Sequence, residues 1–131
     1  MIEVAVVGAH LSGMPLNREL TGLGATFLRA TTTAAGYRLF ALAGGPPARP
    51  GLIRVAEGGA AIALEVWAMP PEGFGRFVAG IPSPLGIGTL ALADGTTVKG
   101  FLCESVATDD ARDVTAFGGW RAFVAAQASA A

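Results

Sequence analysis

Short apolar stretches separated by glycine and proline predict a chain built mainly from short β-strands. The Gly58-Gly59 and Asp94-Gly95 pairs each predict a tight hairpin turn between two of these strands. The proline-rich stretch 44–51 is expected to be a rigid loop that cannot continue a ladder. The predicted strands are residues 2–9, 26–33, 37–42, 52–57, 61–69, 87–93 and 98–106.

Helical spacing is confined to three segments. Residues 16–23 and about 116–127 are predicted to form the first and third helices. The second helix carries Phe74, Phe77 and Val78, whose i, i+3, i+4 spacing gives it one apolar face. Six or seven short strands with about three helices predict an α+β fold, a small mixed or antiparallel β-barrel with peripheral helices.

Composition and charge narrow the class of protein. The chain has 131 residues, of which 52% are hydrophobic and 15% are charged, and its formal net charge is −1. No internal repeat or linker divides it, so residues 1–131 are expected to form a single domain. No apolar run approaches the roughly 18 residues of a membrane span, and no cluster of Lys or Arg forms a nucleic-acid footprint. We therefore expect neither a membrane nor a nucleic-acid partner.

The cysteine and histidine counts exclude several kinds of site. Cys103 is the single cysteine, which excludes an internal disulfide and most cysteine-based metal sites. One histidine with scattered carboxylates lacks the spacing of a metal centre, so no metal and no cofactor are expected. The N-terminal stretch lacks the basic region of a signal peptide, which predicts a cytoplasmic protein. The high apolar content with few charges favours a homo-oligomer or a partner surface.

The strongest functional signal is the glycine-punctuated loop that follows the first strand. It holds the only histidine of the chain, His10, whose side-chain type has an unperturbed pKa near neutrality. A strand-to-helix loop of this kind exposes backbone N–H groups that can bind an anion. His10 is either a base or hydrogen-bond donor at the mouth of the barrel, or a residue that only caps the next helix. The other candidate binding residues here are Gly8, Ala9, Leu11, Ser12, Gly13 and Asn17.

Later in the chain, three charged residues and one proline-rich stretch are further candidates for the site. Glu65 either points into a pocket, where desolvation would raise its pKa, or lies on a half-exposed strand face. Lys99 and Glu104 lie on opposite faces of one predicted strand, and the pattern does not decide which face is internal. The stretch Pro84-Leu85-Gly86 either walls a small ligand pocket or only turns a corner between a helix and a strand.

Several motifs, taken in chain order, resemble the C-terminal domain of allophanate hydrolase. They cover nearly the whole chain, but the amidase domain that precedes this module in the full enzyme is missing. Because the chain begins with its own Met, we expect a free-standing version of the module. The matching motifs are Gly8-Ala9-His10-Leu11-Ser12-Gly13-Met14-Pro15-Leu16-Asn17, Tyr37-Arg38-Leu39-Phe40-Ala41-Leu42, Glu65-Val66-Trp67-Ala68-Met69-Pro70, Ile81-Pro82-Ser83-Pro84-Leu85-Gly86-Ile87-Gly88, Val98-Lys99-Gly100-Phe101-Leu102-Cys103-Glu104 and Asp113-Val114-Thr115-Ala116-Phe117-Gly118-Gly119-Trp120-Arg121.

The resemblance implies a fold similar to that of γ-glutamylcyclotransferases, with a pocket at the loop after the first strand. In those enzymes the loop reads Tyr-Gly-Ser-Leu, and a separate glutamate serves as the acid–base residue. Here the loop reads Val7-Gly8-Ala9-His10-Leu11, and the stretch 82–86, where the glutamate is expected, contains no acid. We therefore do not expect cyclotransferase chemistry.

The resemblance also implies a substrate class. In the full enzyme the amidase domain releases ammonia from allophanate, and the C-terminal domain is associated with processing the resulting N-carboxylated carbamate towards ammonia and CO₂. Backbone donors at 8–13, a cation such as Lys99 or an arginine, and His10 as proton donor or base would suit this small dianion. The chain is then a decarboxylase or hydrolase of urea or allophanate nitrogen metabolism that acts on a carboxylate- or carbamate-type molecule. The alternative is a non-catalytic accessory module that pairs with a separate amidase subunit.

Overall fold

The computed structural model describes residues 1–130, and they form the expected α+β structure. The predicted strands and helices are confirmed with shifted ends, whereas the two-residue strand β8 was missed because two polar residues carry no periodic signal. None of the described helices is long and apolar enough to cross a bilayer. The elements are β1 (Ile2–Val6), α1 (Asn17–Gly22), β2 (Thr26–Thr32), β3 (Tyr37–Ala41), β4 (Pro50–Arg54), β5 (Ala63–Met69), α2 (Pro71–Ala79), β6 (Leu85–Ala91), β7 (Thr97–Cys103), β8 (Arg112–Asp113) and α3 (Trp120–Ala130), with 3₁₀ turns at Ser105–Thr108 and Thr115–Phe117.

The strands form two sheets. The larger has the order β2-β5-β1-β7-β6, and its pairs are antiparallel except for β1 with β7. The smaller is antiparallel, with the order β4-β3-β8. The two edges of the larger sheet meet only at an isolated bridge between Thr33 and Leu92. The expected barrel is therefore not confirmed within residues 1–130, because this bridge lies one residue beyond the ends of β2 and β6 and no ladder pairs the two strands along their length.

The two predicted hairpins have different outcomes. The Asp94-Gly95 turn does join an antiparallel pair, β6 and β7, and Gly95 adopts a φ of +87° that favours glycine. The Gly58-Gly59 hairpin is wrong, because β4 pairs with β3 whereas β5 pairs with β1 and β2. A Cβ on Gly59 would lie 2.7 Å from the backbone nitrogen of Tyr37. This glycine pair therefore serves a close approach of two backbone segments as the chain crosses between sheets.

Pro50 lies inside the stretch expected to be a loop, yet it begins β4. A proline is tolerated there because it is the first residue of an edge strand, where a missing N–H costs no ladder bond. Its partner in the register is Ala41. This placement brings the start of β4 beside the loop that follows β1.

The central strand β1 is buried on both faces. Val4, Ala5 and Val6 are fully inaccessible to solvent, and they belong to a hydrophobic cluster that also includes side chains from α1, α2 and α3. Fully burying a valine side chain contributes about 1.5–3 kcal/mol, so Val4 and Val6 hold the strand in place. The loop after β1 therefore leaves the middle of the sheet from a rigid base.

Candidate active site

The loop after β1 is fixed by close packing, and several of its N–H groups are already engaged. The N–H of Leu11 donates to the carbonyl of Gly8 at 3.0 Å, and the N–H of Ser12 donates to Glu65 Oε1 at 2.9 Å. A Cβ on Gly8 would lie 2.2 Å from Cδ of Pro50, so only glycine fits there. Gly13 has a φ of +79°, which favours glycine for the turn. The loop thus offers an anion fewer free backbone donors than the sequence suggested.

His10 is held between two aromatic rings, with only 13% of its side chain exposed. Its ring is stacked on Phe101 at a centroid distance of 5.2 Å and meets the edge of Phe77 at 5.1 Å. Asn17 Nδ2 donates to the His10 carbonyl at 2.9 Å and so fixes the backbone. His10 Nε2 lies 2.7 Å from Glu19 Oε1. Because a carboxylate can only accept a hydrogen bond, we assign the proton of the neutral ring to Nε2. Nδ1 is then the nitrogen that takes up and releases the second proton.

The pKa of His10 is lowered from its ordinary value near 6.5, and the largest cause is burial, which disfavours the charged ring. The hydrogen bond and charge of Glu19 oppose this effect, and the positive charge of Arg49 adds to it. His10 is therefore mainly neutral at pH 7, yet it has a carboxylate partner that stabilises the imidazolium when one forms.

A cavity of about 380 Å³ lies against His10, and we refer to it as the His10 cavity. Its charged side chains are Arg18, Arg49, Arg76 and Glu19, so cations outnumber acids. Arg76 pairs with Glu72 at 2.8 Å within α2, and Arg18 donates to the Pro15 carbonyl at 2.6 Å. The remaining lining residues are Leu16, Gly22, Leu23, Phe77, Gly80, Ile81, Pro82, Leu85 and Phe101.

Arg49 is the arginine best placed to bind an anion. No carboxylate within residues 1–130 lies within 4.0 Å of its guanidinium, so no ion pair neutralises it. It is half-buried and lies in the proline-rich stretch, directly before β4. It also lines two smaller cavities that adjoin the His10 cavity, one beside Gly8 and one beside Pro84. Arg49 therefore borders all three cavities.

The Pro84-Leu85-Gly86 stretch contributes only in part. Leu85 lines the His10 cavity, and Pro84 lines the adjoining space of about 290 Å³. Gly86 lines neither of them. Ala9 borders the small space beside Gly8.

Lys99 is not part of this site. The parallel register places it beside Val4, in the middle of β1, and it shares a depression with Ile2 and Glu3 at the start of that strand, whereas His10 follows the other end. Its Nζ donates to Thr89 Oγ1 at 2.9 Å, and it lines a different, open depression of about 590 Å³. The sequence offered only its positive charge and an undecided strand parity, and neither gives its distance from the loop after β1.

Glu65 also lies outside the His10 cavity. Its side chain is 10% exposed and borders a groove of about 460 Å³ between α3 and the larger sheet. Leu11 borders the same groove, whereas Ser12, Gly13 and Asn17 line neither this groove nor the His10 cavity. The half-exposed strand face is wrong because Glu65 is buried, and the pocket that its side chain borders is this groove and not the His10 cavity.

Sequence reasoning missed Glu19, Arg49 and the aromatic pair around His10. Arg49 had a usable signal, since it is the single charged residue in a stretch otherwise made of proline, glycine and alanine. Glu19 lies nine residues after His10 in a short helix, and only the fold of the loop brings the two together. Phe77 and Phe101 are indistinguishable from ordinary core residues in the sequence. No three metal-ligating side chains lie together in the part of the chain that the structure describes.

Comparison with known proteins identifies the family. The family model of the allophanate hydrolase C-terminal domain matches residues 2–125. Urea amidolyase of Saccharomyces cerevisiae is 45% identical over 126 residues, which are 93% of this chain and 7% of that protein. Allophanate hydrolase of Kluyveromyces lactis superposes with a TM-score of 0.92 at 42% identity and covers 96% of this chain and 21% of its own. The chain therefore spans only a small fraction of these relatives.

Two further solved structures bear on length and fold. A uropathogenic E. coli-specific protein is 35% identical with a TM-score of 0.88, and the match covers 95% of each chain. An aig2-like protein of Mus musculus, at 17% identity and a TM-score of 0.62, supports the expected γ-glutamylcyclotransferase-like fold and nothing more. The expected resemblance is thus confirmed: the chain belongs to the allophanate hydrolase C-terminal domain family.

Proposed function

We propose that this chain, acting as one domain, binds a small carboxylate- or carbamate-type anion in the His10 cavity and decarboxylates an N-carboxylated carbamate. The observation that carries this is that one cavity is lined both by the buried His10 ring, hydrogen-bonded to Glu19, and by the unpaired Arg49. The names of its relatives, a urea amidolyase and an allophanate hydrolase, support a substrate from urea and allophanate nitrogen metabolism.

In the proposed reaction, the bond between nitrogen and one carboxylate carbon breaks. That carboxylate leaves as CO₂, the electron pair of the bond stays on nitrogen, and one proton is added there to give carbamate. Breakdown of the carbamate takes up a second proton and gives ammonia and a second CO₂. Because negative charge develops on nitrogen in the first step, a proton donor beside that atom lowers the barrier.

His10 is the proton donor in this proposal, acting through Nδ1 because Nε2 is bound to Glu19. In the empty cavity, burial keeps the pKa of His10 low and the ring mainly neutral. A dianion placed beside the ring attracts the imidazolium and raises that pKa. Substrate binding therefore favours the protonated form that the first step consumes.

Arg49 anchors a carboxylate of the substrate in the same proposal. A guanidinium binds a carboxylate through two parallel hydrogen bonds, which fixes orientation as well as charge. The apolar walls contributed by Phe77 and Phe101 lower the local dielectric and so strengthen this attraction. The cavity volume, about 380 Å³, lies within the range of ordinary small-molecule sites.

The test is CO₂ release from the N-carboxylated carbamate, generated in situ from allophanate by a separate amidase. After the spontaneous rate is subtracted, we expect His10→Gln to lower the rate of CO₂ release by about 10²–10⁴-fold, the usual contribution of general acid–base catalysis. Lys99→Met is the matched control and is expected to leave the rate unchanged, because Lys99 lines a different depression. An unchanged rate in His10→Gln removes the residue from the mechanism.

A non-catalytic accessory role is the second candidate. The observation that favours it is the largely apolar groove between α3 and the larger sheet, together with the far greater length of the relatives. Co-purification with an amidase, and loss of that amidase's activity without this chain, would support this role. Turnover by the isolated chain would instead support the decarboxylase.

A further inference from the structure

Glu65 is a buried carboxylate with a large number of hydrogen bonds. Its Oε1 accepts from the N–H of Ser12 at 2.9 Å, from Ser12 Oγ at 3.0 Å and from Trp67 Nε1 at 3.1 Å. Its Oε2 accepts from Arg121 Nη2 at 3.2 Å. A carboxylate this well satisfied holds its donors in place, since charge-assisted hydrogen bonds are among the stronger ones in proteins.

These contacts join three parts of the molecule. Glu65 belongs to β5 and is paired in register with Val6, the last residue of β1. Ser12 belongs to the loop after β1, two residues beyond His10, and Arg121 lies in the first turn of α3. One side chain therefore ties the loop to the sheet and to the last helix.

The loop also has anchors on either side of His10, including the N–H of Leu16, which donates to the Ala9 carbonyl at 2.8 Å. Gly8 is wedged against Pro50, and Asn17 holds the His10 carbonyl. Gly13, immediately after Ser12, is exposed, and its Cα has no heavy atom packed over it where a Cβ would stand. On the C-terminal side of His10, the two bonds from Ser12 to Glu65 are thus the polar link between the exposed turn and the buried strand.

We propose that Glu65 is a positioning residue that holds the loop so that the His10 ring stays between Phe77 and Phe101. Its effect on turnover rests on the proposed function, whereas its effect on the His10 ring does not. A shift of about 1 Å in a catalytic group can cost on the order of 10²-fold in rate. Glu65 therefore acts on the chemistry through His10 without touching the substrate.

The single histidine makes a direct measurement possible, because the imidazole C2–H signal in an NMR titration belongs to His10 alone. In Glu65→Ala we expect the His10 titration midpoint to move up towards 6.5, as the loosened ring becomes better solvated. Glu65→Gln keeps one oxygen acceptor for Ser12 and is expected to retain most of the native shift. Glu3→Gln, which alters a carboxylate at the far end of β1, is the matched control and should leave the signal unchanged.

Turnover gives the second readout. We expect Glu65→Ala to lower kcat by about 10-fold or more with KM changed by less than about threefold, and Glu65→Gln to recover most of kcat. Should Glu65→Ala fail to fold by circular dichroism, Ser12→Ala removes one of the two loop bonds and is expected to shift the His10 titration in the same direction. A native His10 titration in the folded variant, or in Ser12→Ala, overturns the proposal. If the wild-type chain shows no turnover, the decarboxylase proposal fails while the NMR arm still decides the role of Glu65.

Discussion

A comparison of the cavities at the two ends of β1 shows that neither cavity volume nor the number of charged side chains distinguishes the candidate site. At the N-terminal end, an open depression of about 590 Å³ holds Glu3, Arg29 and Lys99 among its lining residues. Those charges are exposed and satisfied locally: Arg29 pairs with Glu3 at 3.1 Å, and Lys99 is bound to Thr89. The C-terminal end opens into a smaller cavity in which His10 is desolvated and Arg49 is unpaired.

The difference between these ends lies in burial and pairing. A solvated ion pair contributes little, because water screens it and each charge already has a partner. A half-buried cation without an acidic partner, beside a desolvated titratable group, is better placed to attract an anionic ligand. This contrast is the reason that we propose anion binding at the C-terminal end, and each prediction below compares a residue there with its counterpart at the other end.

Arg49→Met is expected to produce the largest change among these comparisons. It removes the unpaired guanidinium, so the Kd for malonate, a stable small dicarboxylate, is expected to rise by about 10–100-fold, the equivalent of roughly 1.5–3 kcal/mol for a charged hydrogen bond. Isothermal titration calorimetry measures this directly. Arg29→Met at the other end is the control and should leave Kd within about twofold. A larger loss of malonate affinity in Arg29→Met than in Arg49→Met would place the anion site at the N-terminal end of β1 and contradict the proposal.

Glu19→Gln is expected to have a smaller effect, on the titration of His10. The bond and charge of Glu19 raise the pKa of His10, so their removal should lower the midpoint further, whereas loss of Arg49 should raise it. The other charged groups lining the cavity, Arg18 and Arg76, are kept in both variants. The NMR titration of the single histidine follows each change, with Glu3→Gln as the distant control. A midpoint that rises in Glu19→Gln would contradict the assigned hydrogen bond.

The fold was largely predictable because its signals are local. Alternation and turn residues marked the strands, and the Asp94-Gly95 turn was correct because the chain reverses at that position between two adjacent strands. Gly58-Gly59 has the same local signature, yet it lies in the connection where the chain passes from the smaller sheet to the larger one. Short-range sequence does not distinguish a reversal from a crossing, since both require glycine.

The site was predictable only where a residue type is rare. His10 stood out as the single histidine, and its loop followed a clear strand. Its neighbours at the cavity, Glu19 and Arg49, come from a short helix and from the loop residue directly before an edge strand, and only tertiary packing brings them together. Lys99 was named as a cation that would suit the substrate implied by the family resemblance, and neither that argument nor strand parity says which end of a parallel pair a residue occupies.

The smallest effect we expect is on the free energy of unfolding, to which residues at the two ends of β1 contribute in different pH ranges. The pKa of His10 is lower in the folded chain than in the unfolded chain, so below about pH 6.5 the unfolded chain binds more protons than the folded one. The free energy of unfolding therefore decreases as the pH falls from about 6.5 through the folded pKa. At the other end, hydrogen bonds from Thr96 lower the pKa of Asp94 from its ordinary value near 3.8. The stabilisation from Asp94 is therefore present above pH 3.8 and is lost as the pH falls through its lower folded pKa.

Urea unfolding at a series of pH values measures both contributions. His10→Gln should flatten the part of the wild-type curve that begins to fall near pH 6.5 and leave the more acidic part unchanged. Asp94→Asn should do the reverse, because Asp94 is exposed and titrates only in acid. If both variants alter the same pH range, the two ends of β1 do not differ in burial as argued, and the assignment of the desolvated site to the His10 end loses its electrostatic basis.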